Sequence, residues 1–247
     1  VSTQVGCTLD CTFCLTATMG LHRNLTAGEI VGQVIAARAF LESTGAAADG
    51  ERIDRWVYMG MGEPLANYAP VVRSVHLMTD KSGMCISGRR ITVSTAGMAN
   101  RIPAFGEDCE AMLAVSLNAT TDAQRDRLMP RVNRKYPLTA LMESLHAFPM
   151  ARRRWLTVEY VLLAGENDTD EDAKRLVDLV ADLRCKVNLI PYNPHPTAPF
   201  RRPSAARIRA FQRALLSAEV SASVRETRGD EVLAACGQLG EPANRAA

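Results

Sequence analysis

The sequence predicts an α/β fold of parallel strands with helices packed outside them. Three observations carry that prediction. Short β-like runs alternate with stretches of helical periodicity along the chain. Polar and glycine-rich clusters recur just after the strands, where parallel α/β folds place their sites. The chain has 247 residues, 47% of them hydrophobic, enough for one sizeable core.

Strands are expected at 2–5, 55–59, 90–94, 111–117, 156–162 and 186–191, with a further one possible at 221–226. Helices are expected at 27–41, 68–78, 138–147, 170–183 and 204–217, and shorter helical pieces near 98–105 and 122–128. Thr26 and Glu29 form a capping box that opens the first helix. Ser204, after Pro203, caps the last. Six strands are too few for a closed eight-unit barrel, so an open barrel and a doubly wound sheet both fit.

The strand ends carry the chemistry. After the first comes CTLDCTFC, Cys7 to Cys14; after the second GMGEPL, Gly60 to Leu65; after the third STAG, Ser94 to Gly97. SLNA, Ser116 to Ala119, ends the fourth. The fifth carries Glu159, and PYNP, Pro191 to Pro194, ends the sixth.

Cys7, Cys11 and Cys14 make a CxxxCxxC spacing. Structural zinc takes four ligands, often as two CxxC-like pairs, and no second pair is present, although His22 is available. Iron–sulfur clusters are held by cysteine thiolates, four for a 4Fe–4S cube. Three thiolates leave one iron open to a substrate-like ligand. An open-iron cluster is the expected reading, with structural zinc as the alternative.

Composition adds limits. Net charge is +2, which announces no polyanion partner. Among the 29 basic residues 25 are Arg, suited to phosphate and base contacts, though a GC-rich coding sequence gives the same bias. No apolar run approaches the ~18 residues of a membrane span, and no secretory signal is evident. Seven cysteines, an odd number and unevenly spread, fit a cytoplasmic protein using them for metal or catalysis. The opening VSTQVG reads as the interior of a longer protein, and the tail 241–247 as frayed beyond a core of residues 1–240.

CxxxCxxC with Phe13 before its last cysteine resembles the radical S-adenosylmethionine superfamily. VSTQVGC, GLHRNLTAGEI, GMGEPL, ITVSTAGM, RLMP with NRKYPL, VNLIPYNP and RGDEVLAACGQL together resemble, more narrowly, the RlmN/Cfr group of RNA methyltransferases. That resemblance implies a partial six-unit (β/α)6 barrel of the radical SAM type. It implies a 4Fe–4S cluster on Cys7, Cys11 and Cys14, and S-adenosylmethionine contacted by Gly62, Glu63, Ser94, Ser116, Leu117, Asn118 and Asn193. It implies that Cys236 is catalytic. Carbon 2 of adenine is electron-poor and cannot attack a sulfonium. The resemblance implies a detour in which Cys236 takes the methyl group first and a radical from a second S-adenosylmethionine activates it.

The implied substrates are an adenosine of 23S rRNA and an adenosine next to the tRNA anticodon. Cfr-type methylation at carbon 8 is the alternative within the group, and a non-catalytic zinc-stabilised RNA-binding module is the alternative outside it. An electron donor such as flavodoxin, a monomeric state and no membrane association complete the expectation. Candidate RNA contacts are Arg125, Arg127, Arg131, Arg134, Lys135, Arg152, Arg153, Arg154, Arg201 and Arg202. The group's second cysteine, its N-terminal RNA-binding domain and its proton acceptor all map before Val1. Cys85, Cys109 and Cys185 are read as structural.

Overall fold

The computed structural model describes residues 1–45, 53–151, 154–225 and 237–240. Two strands, β1 (Gln4–Gly6) and β2 (Leu21–Asn24), pair antiparallel as a separate ribbon. The main sheet holds six parallel strands: β3 (Trp56–Tyr58), β4 (Ile91–Thr95), β5 (Met112–Ser116), β6 (Leu156–Leu162), β7 (Cys185–Pro191) and β8 (Ala222–Val224). Their spatial order is the sequence order, β3 to β8 without a reversal. A doubly wound sheet reverses at a switch point. This one does not, which decides for the partial barrel.

The expected count of six parallel strands holds, but its membership changes. The first expected strand joins the ribbon, and the possible seventh becomes the sixth strand of the sheet. Residues 1–4 still run beside β3, through Gly60 N–H donating to the Val1 carbonyl at 3.1 Å and Thr3 N–H to Met61 O at 2.9 Å. Gly6 then turns the chain away at φ +77°, and a Cβ there would stand 1.8 Å from the Gly20 carbonyl oxygen. That close approach lets Cys7 N–H donate to Gly20 O at 2.9 Å and closes the loop over residues 7–20.

Nine helices are described: α1 (Leu15–Thr18), α2 (Ala27–Ser43), α3 (Tyr68–Thr79), α4 (Ile102–Asp108), α5 (Asp122–Leu128), α6 (Pro130–Lys135), α7 (Leu138–His146), α8 (Asp170–Val180) and α9 (Ala205–Ser217). Both expected caps form. Thr26 and Glu29 exchange the two bonds of a capping box, and Ser204 Oγ accepts from Arg207 N–H at 3.2 Å.

The sheet has two apolar layers. All seven residues of β6 are buried, as befits a strand covered on both faces. Leu156, Val158, Tyr160 and Leu162 face the helices, where Tyr160 stacks on Phe211 of α9 at 5.5 Å. Val161 faces the other way, into a smaller cluster with Leu9, Phe13, Met129, Ile190 and Tyr192. Each such residue fully buried stabilises the fold by about 1.5–3 kcal/mol.

A second capping box opens α8, with Thr169 and Asp172 bonded reciprocally. Burial works to raise the Asp172 carboxyl, but hydrogen bonds from Thr169, Gln124 and Arg175 prevail and hold it below the usual carboxylate range. A depressed carboxylate stabilises above its unfolded pKa, and that stability is lost as pH falls through the folded value. Thr169→Ala is therefore expected to cost about 1 kcal/mol in urea unfolding at pH 7, with the deficit shrinking in acid.

Candidate functional site

One cavity opens at the C-terminal ends of the parallel strands. Its wall includes Cys7, Cys11, Cys14, Gly62, Glu63, Ser94, Ser116, Asn118, Glu159 and Val161. These come from the ribbon loop and four successive strands, so the clusters read from the sequence do converge.

The cysteine loop is pinned from three sides. Thr12 N–H donates to Leu128 O at 3.0 Å, and Arg131 N–H to Asp10 Oδ1 at 2.9 Å, tying the loop to α5 and α6. The imidazole Nε2 of His195, which is buried, lies 3.0 Å from the Phe13 carbonyl oxygen. From the far end of the chain, Gly237 O accepts from Leu15 N–H at 2.8 Å, and Leu239 O accepts from the Thr16 hydroxyl. Gln238 Nε2 donates to Pro194 O at 3.0 Å. Cys236 itself lies outside the described residues, but Gly237 and Leu239 line the cavity.

The three thiols are free. Burial pushes the Cys7 thiol up to about 11. Burial also raises Cys11, and the neighbouring Cys14, Cys7 and Glu63 add to it. Three anionic sulfurs in this pocket require a compensating positive charge. All three cysteines stand on the cavity wall. His22 is exposed on β2 and is not part of that wall.

Glu63 is buried and structurally committed. Its Oε1 accepts from Leu65 N–H at 2.9 Å and its Oε2 from Ala96 N–H at 2.7 Å, joining the ends of β3 and β4. Burial raises its pKa, against the pull of those amides and the Thr95 hydroxyl. Gly62 has φ +101°, and a Cβ there would meet Gln4 Cβ at 2.6 Å. The glycine makes room for Gln4 while itself lining the cavity.

Ser94, Ser116 and Asn118 line the cavity as expected. Asn118 sits at φ +58°, with its Oδ1 accepting from Val161 N–H at 2.8 Å. Leu117 and Asn193 are not on the wall. The Leu117 side chain packs in the helix-side core, and Asn193 is buried just past β7.

Two arginines assigned to RNA are corrected. Arg125 is fully buried, with its guanidinium donating to Leu117 O (3.3 Å), Asn133 Oδ1 (3.1 Å), Tyr136 O (3.2 Å) and Ala96 O (2.6 Å). Arg154 is buried and donates to the carbonyls of Gly106, Cys109 and Ala111. Neither is available to a phosphate. Arg127, Arg131, Arg134, Lys135, Arg201 and Arg202 are exposed, while Arg152 and Arg153 lie outside the described residues.

Sequence reasoning missed the apolar wall of Val161, Ile190 and Tyr192, and the roles of Arg125 and His195. The alternation of β6 around Glu159 held a signal for the wall. Nothing local marked the other two.

Residues 1–180 match the family model for the radical SAM superfamily. The chain is 50% identical over 239 residues to the dual-specificity RNA methyltransferase RlmN of Anaeromyxobacter sp. (strain Fw109-5), covering 97% of this chain and 63% of that protein. It is 47% identical over 253 residues to the RlmN of Anaeromyxobacter dehalogenans, covering 100% and 68%. A crystal structure of a radical SAM methyltransferase from Sphaerobacter thermophilus superposes with a TM-score of 0.90 at 45% identity, covering 96% of this chain and 68% of that one. The chain thus spans about two thirds of the length of these relatives. By its cysteine loop, its sequential parallel barrel and these likenesses, the chain belongs to the radical SAM superfamily and, within it, to the RlmN family.

Proposed function

We propose that the chain is the catalytic core of an RNA methyltransferase that adds a methyl group to carbon 2 of adenosine. Its targets are an adenosine of 23S rRNA and the adenosine next to the tRNA anticodon. The observation that carries this reading is the meeting, at one cavity, of three free thiols with the segment that directly follows Cys236.

The cavity residues fit the two cofactors of the family. Cys7, Cys11 and Cys14 would hold a 4Fe–4S cluster by three corners, leaving the fourth for the amino and carboxylate groups of S-adenosylmethionine. The positive charge of iron relieves the cost of three buried thiolates. Glu63, Ser94, Ser116 and Asn118 would surround the remainder, with Val161, Ile190 and Tyr192 as the apolar side of the pocket. When bound, the cluster supplies the electron for reductive cleavage of the sulfonium, and a donor such as flavodoxin replenishes it.

The chain's own residues do the rest. Cys236, as thiolate, is the nucleophile that adenine carbon 2 cannot be, and it carries the methyl group as a thioether. The bonds from Gly237, Gln238 and Leu239 to α1 and Pro194 hold its segment at the cysteine loop. Leu9, Phe13 and Tyr192 keep this corner apolar and exclude water. Arg127, Arg131, Arg134 and Lys135, exposed on α5 and α6 next to the cysteine loop, are placed to take RNA phosphates.

The test is anaerobic incubation of the full-length protein with unmethylated 23S rRNA or tRNA, S-adenosylmethionine and reduced flavodoxin. Digested RNA is expected to contain 2-methyladenosine, and the Cys236 peptide a methyl group. Recovery of 8-methyladenosine instead would overturn the assignment to carbon 2.

A further inference from the structure

Glu159 sits on the cavity side of β6 and is 3% exposed. Its Oε1 accepts from Asn188 Nδ2 at 3.1 Å, and Asn188 Oδ1 in turn accepts from the Ser223 hydroxyl at 2.7 Å. That chain fixes both the amide and the carboxyl. The other oxygen, Oε2, is buried and has no hydrogen-bond partner among the described residues. Burial raises the carboxyl, while Asn188, Arg225 and Lys186 pull the other way. An unsatisfied buried acceptor is costly, and native interiors keep few of them.

Glu63, the other carboxyl on the cavity wall, makes the contrast. Both of its oxygens accept from backbone amides, and it stands in electrostatic reach of Cys7 and Cys11. Among the described residues the charged neighbours of Glu159 are Lys186 and Arg225. It stands on β6, three strands along the sheet from β3, whose end carries Glu63. Directly across the β5–β6 ladder stands Ser116, which also lines the cavity. An acid and a hydroxyl side by side, next to the apolar wall of Val161 and Ile190, suit a sugar hydroxyl whose base lies on that wall.

We propose that Glu159 is a ligand-contacting residue, its Oε2 accepting a hydrogen bond from a ribose hydroxyl of S-adenosylmethionine bound in this cavity. The assignment rests on the cofactor reading above and goes beyond it by naming the group that reads the sugar.

The test is binding to the anaerobically reconstituted protein. S-adenosylmethionine is titrated, then competed with 5′-deoxyadenosine, 2′,5′-dideoxyadenosine and 3′,5′-dideoxyadenosine. The wild type is expected to bind 5′-deoxyadenosine about tenfold more tightly than at least one dideoxy compound. Glu159→Ala is expected to weaken S-adenosylmethionine binding and to bring that preference close to one. Glu159→Gln keeps the shape and the barrel packing, and is expected to reduce the preference with an unchanged melting temperature. If Glu159→Ala does not fold, Glu159→Gln decides. An undiminished preference in the folded variants overturns the assignment of Glu159 alone. A wild type that binds no S-adenosylmethionine overturns the cofactor reading and the assignment with it.

Discussion

Cys11→Ala is expected to yield a colourless protein after anaerobic reconstitution, with iron and sulfide at background and reductive cleavage of S-adenosylmethionine reduced by at least about 100-fold. Two thiolates do not hold a cube that three barely complete. The fold is expected to survive. The Cys11 carbonyl accepts from Cys14 N–H at 3.1 Å, a bond that alanine retains. Unfolding free energy of the cluster-free proteins should therefore agree within about 0.5 kcal/mol. Cys85→Ala is the matched control, since Cys85 is exposed and stands apart from the cavity wall. Wild-type iron content in Cys11→Ala would refute the three-cornered cluster, and stoichiometric zinc in the wild type would do the same.

The second large effect is expected at Arg125. Arg125→Ala strands four acceptors at once, among them the carbonyls of Ala96 and Leu117. Those two sit at the ends of β4 and β5, beside Ser94 and Ser116 on the cavity wall. A loss of about 3–5 kcal/mol in chemical denaturation follows, at roughly 1 kcal/mol for each acceptor left without its donor. Arg125→Lys recovers only part, because an ammonium lacks the planar fork that reaches four partners. Desolvation lowers the Arg125 pKa to about 10, so the group remains a cation at neutral pH. Unchanged stability in Arg125→Ala would show that water satisfies these carbonyls instead.

The strand-end motifs were legible in the sequence because each one follows a β-like run, and the run tells where the chain must emerge. The cysteine spacing named its own chemistry for the same local reason. The ribbon was not legible. Every residue of β2 is exposed, so Leu21–Asn24 shows none of the alternation that a half-buried strand carries. β8 was read only as possible, since it is three residues long and none of them is buried. Arg125 and Arg154 were misread for a different reason. Composition counts a guanidinium as surface charge, and only tertiary packing shows one wrapped by carbonyls. Leu117 lies between Ser116 and Asn118, which line the cavity, while its own side chain points toward the helices.

The strap from Leu239 to Thr16 joins residues 223 apart in sequence. During synthesis Cys7, Cys11 and Cys14 emerge well before the residues that brace their loop. At ribosomal speeds of 5–20 residues per second that delay is about 10–45 s. Throughout it the nascent loop lacks its brace, and the loop reaches its final hold only once residues 237–239 have been made.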